Sequence, residues 1–429
     1  GIGFQDAGGL APDAPVGTID AAITPDAGPA IDAAVGLPDA ALPPDAALPP
    51  DAAPPPPDAQ VCPGDELILT PSNLGGPCDI AAPTGGWSID GNFQIDTDAA
   101  TIRDRTGGTA VPIPAPSTVV GQTGGPDILV VSVDSFTLDV TDTFTQVHVT
   151  GSRALMIVSF GDITIDGWFH AGADLNLNGA GYFAGACATG AGANGIMQSV
   201  SNLTAGTGGG GGAFGRDGAN GSKVDGVAGD DAPIAGGASN GNNDLVPLRG
   251  GCRGGNGANS GGSGGGAGGA LQLVANGTIT VNGTVASRGG GGRGTAMPNA
   301  GGGGAGSGGG LLLEAGVAIV VTGEVTANGG AGGEGTRTGG QQYAGANGGN
   351  GRTTSATPAV GGTGNSAGGD GGNGGVEGQD AEDAAVGLSN LSSGGLAGGG
   401  GGGASVGRVR FNAPSIDVQG GSTISPAAQ

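Results

Sequence analysis

LQLVANGTITVNGTVASRGG at 271–290 and LLLEAGVAIVVTGEVTANGG at 311–330 align without a gap at a spacing of 40 residues. Leu271 falls on Leu311, Leu273 on Leu313, Ile279 on Ile319, Val281 on Val321, Gly283 on Gly323 and Val285 on Val325. A third copy, LMIVSFGDITIDGWFHA at 155–171, places Leu155, Ile157, Ile163, Ile165, Gly167 and Phe169 at the same internal offsets. A fourth, VRFNAPSIDVQGGSTI from Val409 to Ile424, carries one deletion and one insertion. Each copy has two aliphatics at i and i+2, a Gly or Asn turn, a second i, i+2 pair, a Gly corner and one more apolar residue. Alternate residues of a strand share a face, so each copy is three short strands joined by turns. Gln272 and Glu314 fall on the opposite parity, which the pattern assigns to the outside.

Internal repeats of this kind predict a solenoid. FTLDV and FTQVHV, ahead of Gly151, supply a further copy. The expected fold is therefore all-β: a right-handed parallel β-helix of about five coils over 127–429. Three glycine-rich insertions, 174–270, 289–310 and 329–405, leave after the third strand of one coil and return before the first strand of the next. They should emerge on one side, where repeat arrays often bind. Burial of a few aliphatics per coil cannot also offset the entropy of ordering such tracts. They are expected to be either mobile or hydrogen-bonded to one another. GGDGGNGGV at 368–376 has the period of three that a polyproline-II-like bundle needs. On a scaffold-and-insert reading, residues 331–403 should be replaceable by a short Gly-Ser link without loss of the β-helix.

Composition points the same way. With 104 glycines and 3% aromatic residues, almost no stretch could sustain a helix. There is no sustained Gly-X-Y repeat, so collagen is excluded. Residues 1–60 hold nine Asp, each followed by Ala, and no Lys, Arg or His. Proline blocks helix and sheet there, and the segment is expected to be a disordered Pro/Asp/Ala stalk. Residues 61–126, where Trp87, Ile89, Phe93 and Ile95 alternate with polar residues, are expected to cap the solenoid's first edge. A net charge of -24 with scattered arginines excludes a nucleic-acid footprint. The longest apolar run, near 311, is far short of the ~20 residues of a membrane span. The chain starts at Gly1 rather than Met, as expected of a processed export product.

Four cysteines without CxxC spacing favour disulfides over zinc. Cys62 and Cys78 close a short loop, and Cys187 and Cys252 pair by elimination, which implies an oxidising compartment. No catalytic, cofactor-binding or metal site is expected. His148 and His170 lack metal or triad spacing and are read as structural or surface residues. Asp139, Asp162, Asp166 and Asp417 lie on different copies. The clusters Asp225, Asp230, Asp231 and Asp370, Glu377, Asp380, Glu382, Asp383 are read as solvated loops rather than calcium sites. The NGT triplets at Asn276 and Asn282 are read as turns rather than sugar acceptors.

The PDA stalk, GSRALMIVSFGDITIDG at 151–167 and GGGGASVGRVRFNAP at 400–414 resemble glycine-rich exported proteins of myxobacterial-type Gram-negative bacteria. The coil pattern is similar to the β-helices of filamentous-haemagglutinin-like adhesins. The resemblance implies an outer-surface or extracellular location, a lipid anchor upstream of residue 1, and no catalytic residues. The expected function is a non-enzymatic adhesin or matrix protein that binds cell-surface glycans or its own copies through the glycine tracts. A fibre or coat subunit is the alternative, and a carbohydrate-active β-helix enzyme the next.

Overall fold

The computed structural model describes residues 61–140, 145–200, 202–226, 233–338, 344–364, 366–391 and 395–429. The 1–60 stalk, Asp230 and Asp231 lie outside these residues. Gln60–Gln429 forms one compact unit. Its regular structure is almost all strand, interrupted among the described residues only by short 3-10 turns.

Three sheets are built mainly from parallel strands. The first contains Ile128–Val133, Ala154–Ser159, Ala270–Ala275, Gly310–Ala315 and Arg408–Asn412. The second contains Phe136–Leu138, Ile163–Ile165, Thr278–Val281, Ala318–Val321 and Ser415–Val418. The third contains Gln146–Thr150, Trp168–His170, Thr284–Ala286, Glu324–Thr326 and Thr423–Ser425. Each of five repeats thus gives one strand to each sheet. The register matches the sequence alignment, with Leu271 opposite Leu155 and Leu311, and Ile279 opposite Ile163 and Ile319. The last repeat shifts as expected: Leu311 pairs with Val409, Ile319 with Ile416 and Val325 with Ile424. Apart from Ile416 and Val418 of the last repeat, the i, i+2 residues of the three sheets meet in one core, from Trp87 and Phe136 through Ile163, Ile279 and Ile319 to Phe411.

The first sheet differs from the second in its other face. Gln272 and Glu314 are fully buried rather than outward. A shoulder formed by residues 62–80 lies over them, with Leu67, Leu69, Leu74 and Ile80 packed against Val130, Met156, Val274 and Leu312. Glu314 accepts hydrogen bonds from the Ser72 amide and hydroxyl, Gln272 and Asn412, and Asn73 bonds both Gln272 and the Leu245 carbonyl. A buried carboxylate needs this many donors, because water is no longer there to solvate it. The 61–126 region is therefore more than an end cap. Trp87–Ile89 and Asn92–Asp96 stack on the first repeat, and Ser117–Val120 closes the first sheet in antiparallel fashion. Residues 62–80 instead cover a flank.

The glycine tracts are ordered against one another. Segment 301–309 donates amide hydrogen bonds to 252–258, 287–293 and 399–405, and accepts from 209–212, 262–268 and 330–333. The partners rotate with a period of three. Amides of Gly303, Gly306 and Gly309 reach carbonyls of Arg293, Gly290 and Ser287, while those of Gly302, Ala305 and Gly308 reach Gly399, Gly402 and Ser405. A polyproline-II helix has three residues per turn and no internal hydrogen bonds, so each segment must find its partners sideways. At most positions only glycine permits the spacing. A Cβ at Gly302 would overlap the Gly333 carbonyl oxygen, and one at Gly401 the Gly303 oxygen. GGDGGNGGV obeys the same rule, with Gly369, Gly372 and Gly375 donating to Gly398, Gly401 and Ala404.

The bundle grows out of the first and third sheets, since Gly309 N–H bonds Ser287 at its root and Thr336 N–H bonds Ala300 at its far end. Nine residues at about 3.1 Å each give it a length of roughly 28 Å. Phe214, Leu245 and Leu248 of the first tract also pack onto the outer face of the first sheet. Phe214 lies beneath the guanidinium of Arg249 at 4.7 Å. These contacts overturn the expectation that 331–403 could be exchanged for a short link. Segments 330–336, 369–375 and 398–405 are integral members of the hydrogen-bonded array.

Candidate functional site

The outer face of the third sheet carries the most chemically varied hollow. Val147, Phe169 and Val285 point into the core, so their neighbours point away from it. Register then sets six side chains in two rows: Gln146, Trp168 and Thr284 in one, His148, His170 and Ala286 in the other. This is the floor of a cavity of about 170 Å³. Its walls are Arg105 from a turn beside the first repeat, Asp174 and Arg288 from the roots of two glycine tracts, and Thr353 from the third.

The two imidazoles stack, with ring centroids 4.4 Å apart and an interplanar angle of 11°. His148 Nε2 lies 3.2 Å from the Gly172 carbonyl oxygen, a contact in which Nε2–H donates. Burial holds His148 below the ordinary histidine range, only partly offset by that carbonyl. Burial first, and then the adjacent His148, push His170 well below it. Two neutral rings can stack where two imidazolium ions would repel. His170 is 8% exposed, and its Nδ1 has no hydrogen-bond partner among the described residues. Arg288 bonds Asp174 at 2.7 Å, Asn350 bonds the same carboxylate oxygen at 3.0 Å, and Arg288 Nε is likewise unpartnered. Trp168 keeps 37% of its surface exposed.

The histidines were read from the sequence as isolated structural or surface residues, and the structure brings them together. The signal was present: the third-strand alignment that puts Val147, Phe169 and Val285 in one core row puts His148 and His170 in the adjacent outward row.

The remaining singled-out residues stay apart. Cys62 is bonded to Cys78 and Cys187 to Cys252, with Cα separations of 4.8 and 5.6 Å. Asp139 accepts from Ser88, Asp162 from the Thr278 amide and Asp166 from Asn282, so these carboxylates link neighbouring turns. Asp417 stands on the last strand of the second sheet, opposite Val320. Asn282 also accepts from Thr322, and Asn276 accepts from the Ile68 amide. Asp380 pairs with Arg216, Asp383 caps the Asn220 amide, Glu382 accepts from Asn373 and Glu377 from the Ala427 amide. Asp225 accepts from the Ser389 amide. Among the described residues no group of three or more His, Cys, Asp or Glu is placed to hold a metal ion. No helix among them is long and apolar enough to cross a membrane.

A second feature lies at the far end of the bundle. Thr336 Oγ1 bonds the Met297 carbonyl, and Arg337 reaches the Leu388 carbonyl at 2.8 Å. These loops therefore sit together, and they carry exposed Met297, Val386, Leu388 and Leu391.

No protein-family model matches the chain, no curated protein matches it, and no solved structure matches it.

Proposed function

We propose that this chain is a non-enzymatic adhesin or matrix protein of the outer cell surface or extracellular space. Its three sheets are the faces of a right-handed parallel β-helix, and the glycine bundle is a rigid arm projecting from it. Two disulfides suit an oxidising compartment. The glycine-rich exported proteins of myxobacterial type and the haemagglutinin-like adhesins supply the analogy.

One observation carries the proposal. The bundle's glycines are spent on one another, so the arm offers its partner the loops at its far end rather than a glycine surface. Those loops carry four exposed apolar residues, Met297, Val386, Leu388 and Leu391, and apolar residues grouped at a surface mark an interaction site. Such a patch would engage a cell-surface glycan coat or a neighbouring copy.

The test is binding of the full chain to intact cells and to a glycan array, compared with a Val386→Ser, Leu388→Ser double variant. Loss of attachment with an unchanged melting temperature is the expected result. Undiminished attachment would remove the far-end loops from the binding surface.

A fibre subunit is the second reading, favoured by the last repeat. Ile416 and Val418 continue the core row of Ile319 and Val321, yet they are 48% and 46% exposed. An uncovered strand edge invites pairing with another chain. Sedimentation of the full chain at increasing concentration separates a monomeric adhesin from a fibre subunit.

A further inference from the structure

We propose that the hollow over the third sheet binds one acidic sugar residue, a uronate ring of an extracellular polysaccharide. Trp168 would cover a sugar face, and Arg105 and Arg288 would face the carboxylate. This site is separate from the far-end loops of the arm and stands even if those loops bind nothing.

Three observations lead here. The first is size. Pockets for drug-sized ligands span roughly 300–1,000 Å³, so a hollow of about 170 Å³ takes a single ring. The second is charge. Two guanidiniums face one carboxylate, Asp174, which already bonds Arg288 and Asn350. The unbalanced cation attracts an anion even in an acidic chain, because nearby charges dominate over those beyond about 10 Å of screened solution. The third is the exposed indole among polar groups, which presents an apolar surface beside hydrogen-bonding groups.

The positions of these groups also suit a polymer. The rows run across successive strands about 4.8 Å apart.

The experiment titrates the full chain with an oligogalacturonate, a neutral gluco-oligosaccharide of equal length, and sodium acetate, followed by calorimetry. The expected result is saturable binding of the oligogalacturonate, about tenfold or more tighter than of the neutral oligomer, and none of acetate. Trp168→Ala and Arg288→Gln should each weaken binding about tenfold or more while the circular dichroism spectrum is unchanged. Binding of acetate as tightly as of the oligomer would reduce the hollow to a simple anion site. Equal affinity for the neutral oligomer, no binding of any probe, or full binding by the folded Trp168→Ala variant would overturn the proposal.

Discussion

Glu314 sits on the parity that a strand pattern assigns to solvent, yet it is fully buried under Ser72 and beside Gln272 and Asn412. Glu314→Ala leaves these donors without an acceptor and is expected to destabilise the chain by about 3 kcal/mol, measured by urea denaturation. Parity holds in the second sheet up to its last strand. Ile279 is fully buried and Thr280 is partly exposed. Ile279→Asp should cost several kcal/mol or abolish folding, and Thr280→Asp should be mild; comparable losses would contradict the register. The histidine pair adds a pH dependence. Burial depresses His170 far below 6.5, so between the two values the unfolded chain holds a proton that the folded chain does not. Stability therefore rises with pH in that window and falls on acidification below about pH 6.5, by up to about 1.4 kcal/mol per unit of depression. The charged groups facing the pair are Arg105, Arg288 and Asp174. Melting temperatures recorded from about pH 7.5 to 5.5 should fall in the parent and less steeply in His170→Phe.

At the scale of elements, the sequence revealed strands more readily than their surroundings. The i, i+2 aliphatics gave four repeats with their register and two strands of a fifth, because a strand's two-residue period is written directly in its side chains. The buried outer face of the first sheet had a signal as well. ILVVSV at 128–133 and ALMIVS at 154–159 are nearly continuous apolar runs, as expected of a parallel strand covered on both sides. ITI at 163–165 and TITV at 278–281 alternate, as expected of one covered on a single side. What covers the first sheet was not legible, because residues 62–80 and Phe214 are distant in sequence and carry no period. The glycine tracts were ambiguous for a different reason: glycine provides neither side-chain pattern nor propensity, and only lateral hydrogen bonding distinguishes an ordered bundle from a loose loop. Gly302→Ala should therefore lower the melting temperature markedly, since its Cβ meets the Gly333 carbonyl, whereas Gly420→Ala, which has open space around it, should not.

The whole molecule joins two kinds of order. Side chains hold the sheets together through a continuous apolar core, and backbone groups hold the bundle together with almost no side chains at all. The disulfide Cys187–Cys252 and the Phe214, Leu245 and Leu248 contacts tie the first tract to itself and to the first sheet. Removing 331–403 would strip hydrogen-bond partners from Gly209, Gly302, Gly303 and Ala305, so the shortened chain is expected to lose its single cooperative melt. The most direct measurement is native-state hydrogen exchange of the glycine amides in 301–309 and 398–405. If the bundle is an integral part of the fold, these amides should exchange as slowly as those of Leu271–Ala275 and Leu311–Ala315, through the same global opening. Exchange at the rate of unstructured peptide, with the strand amides still protected, would contradict it.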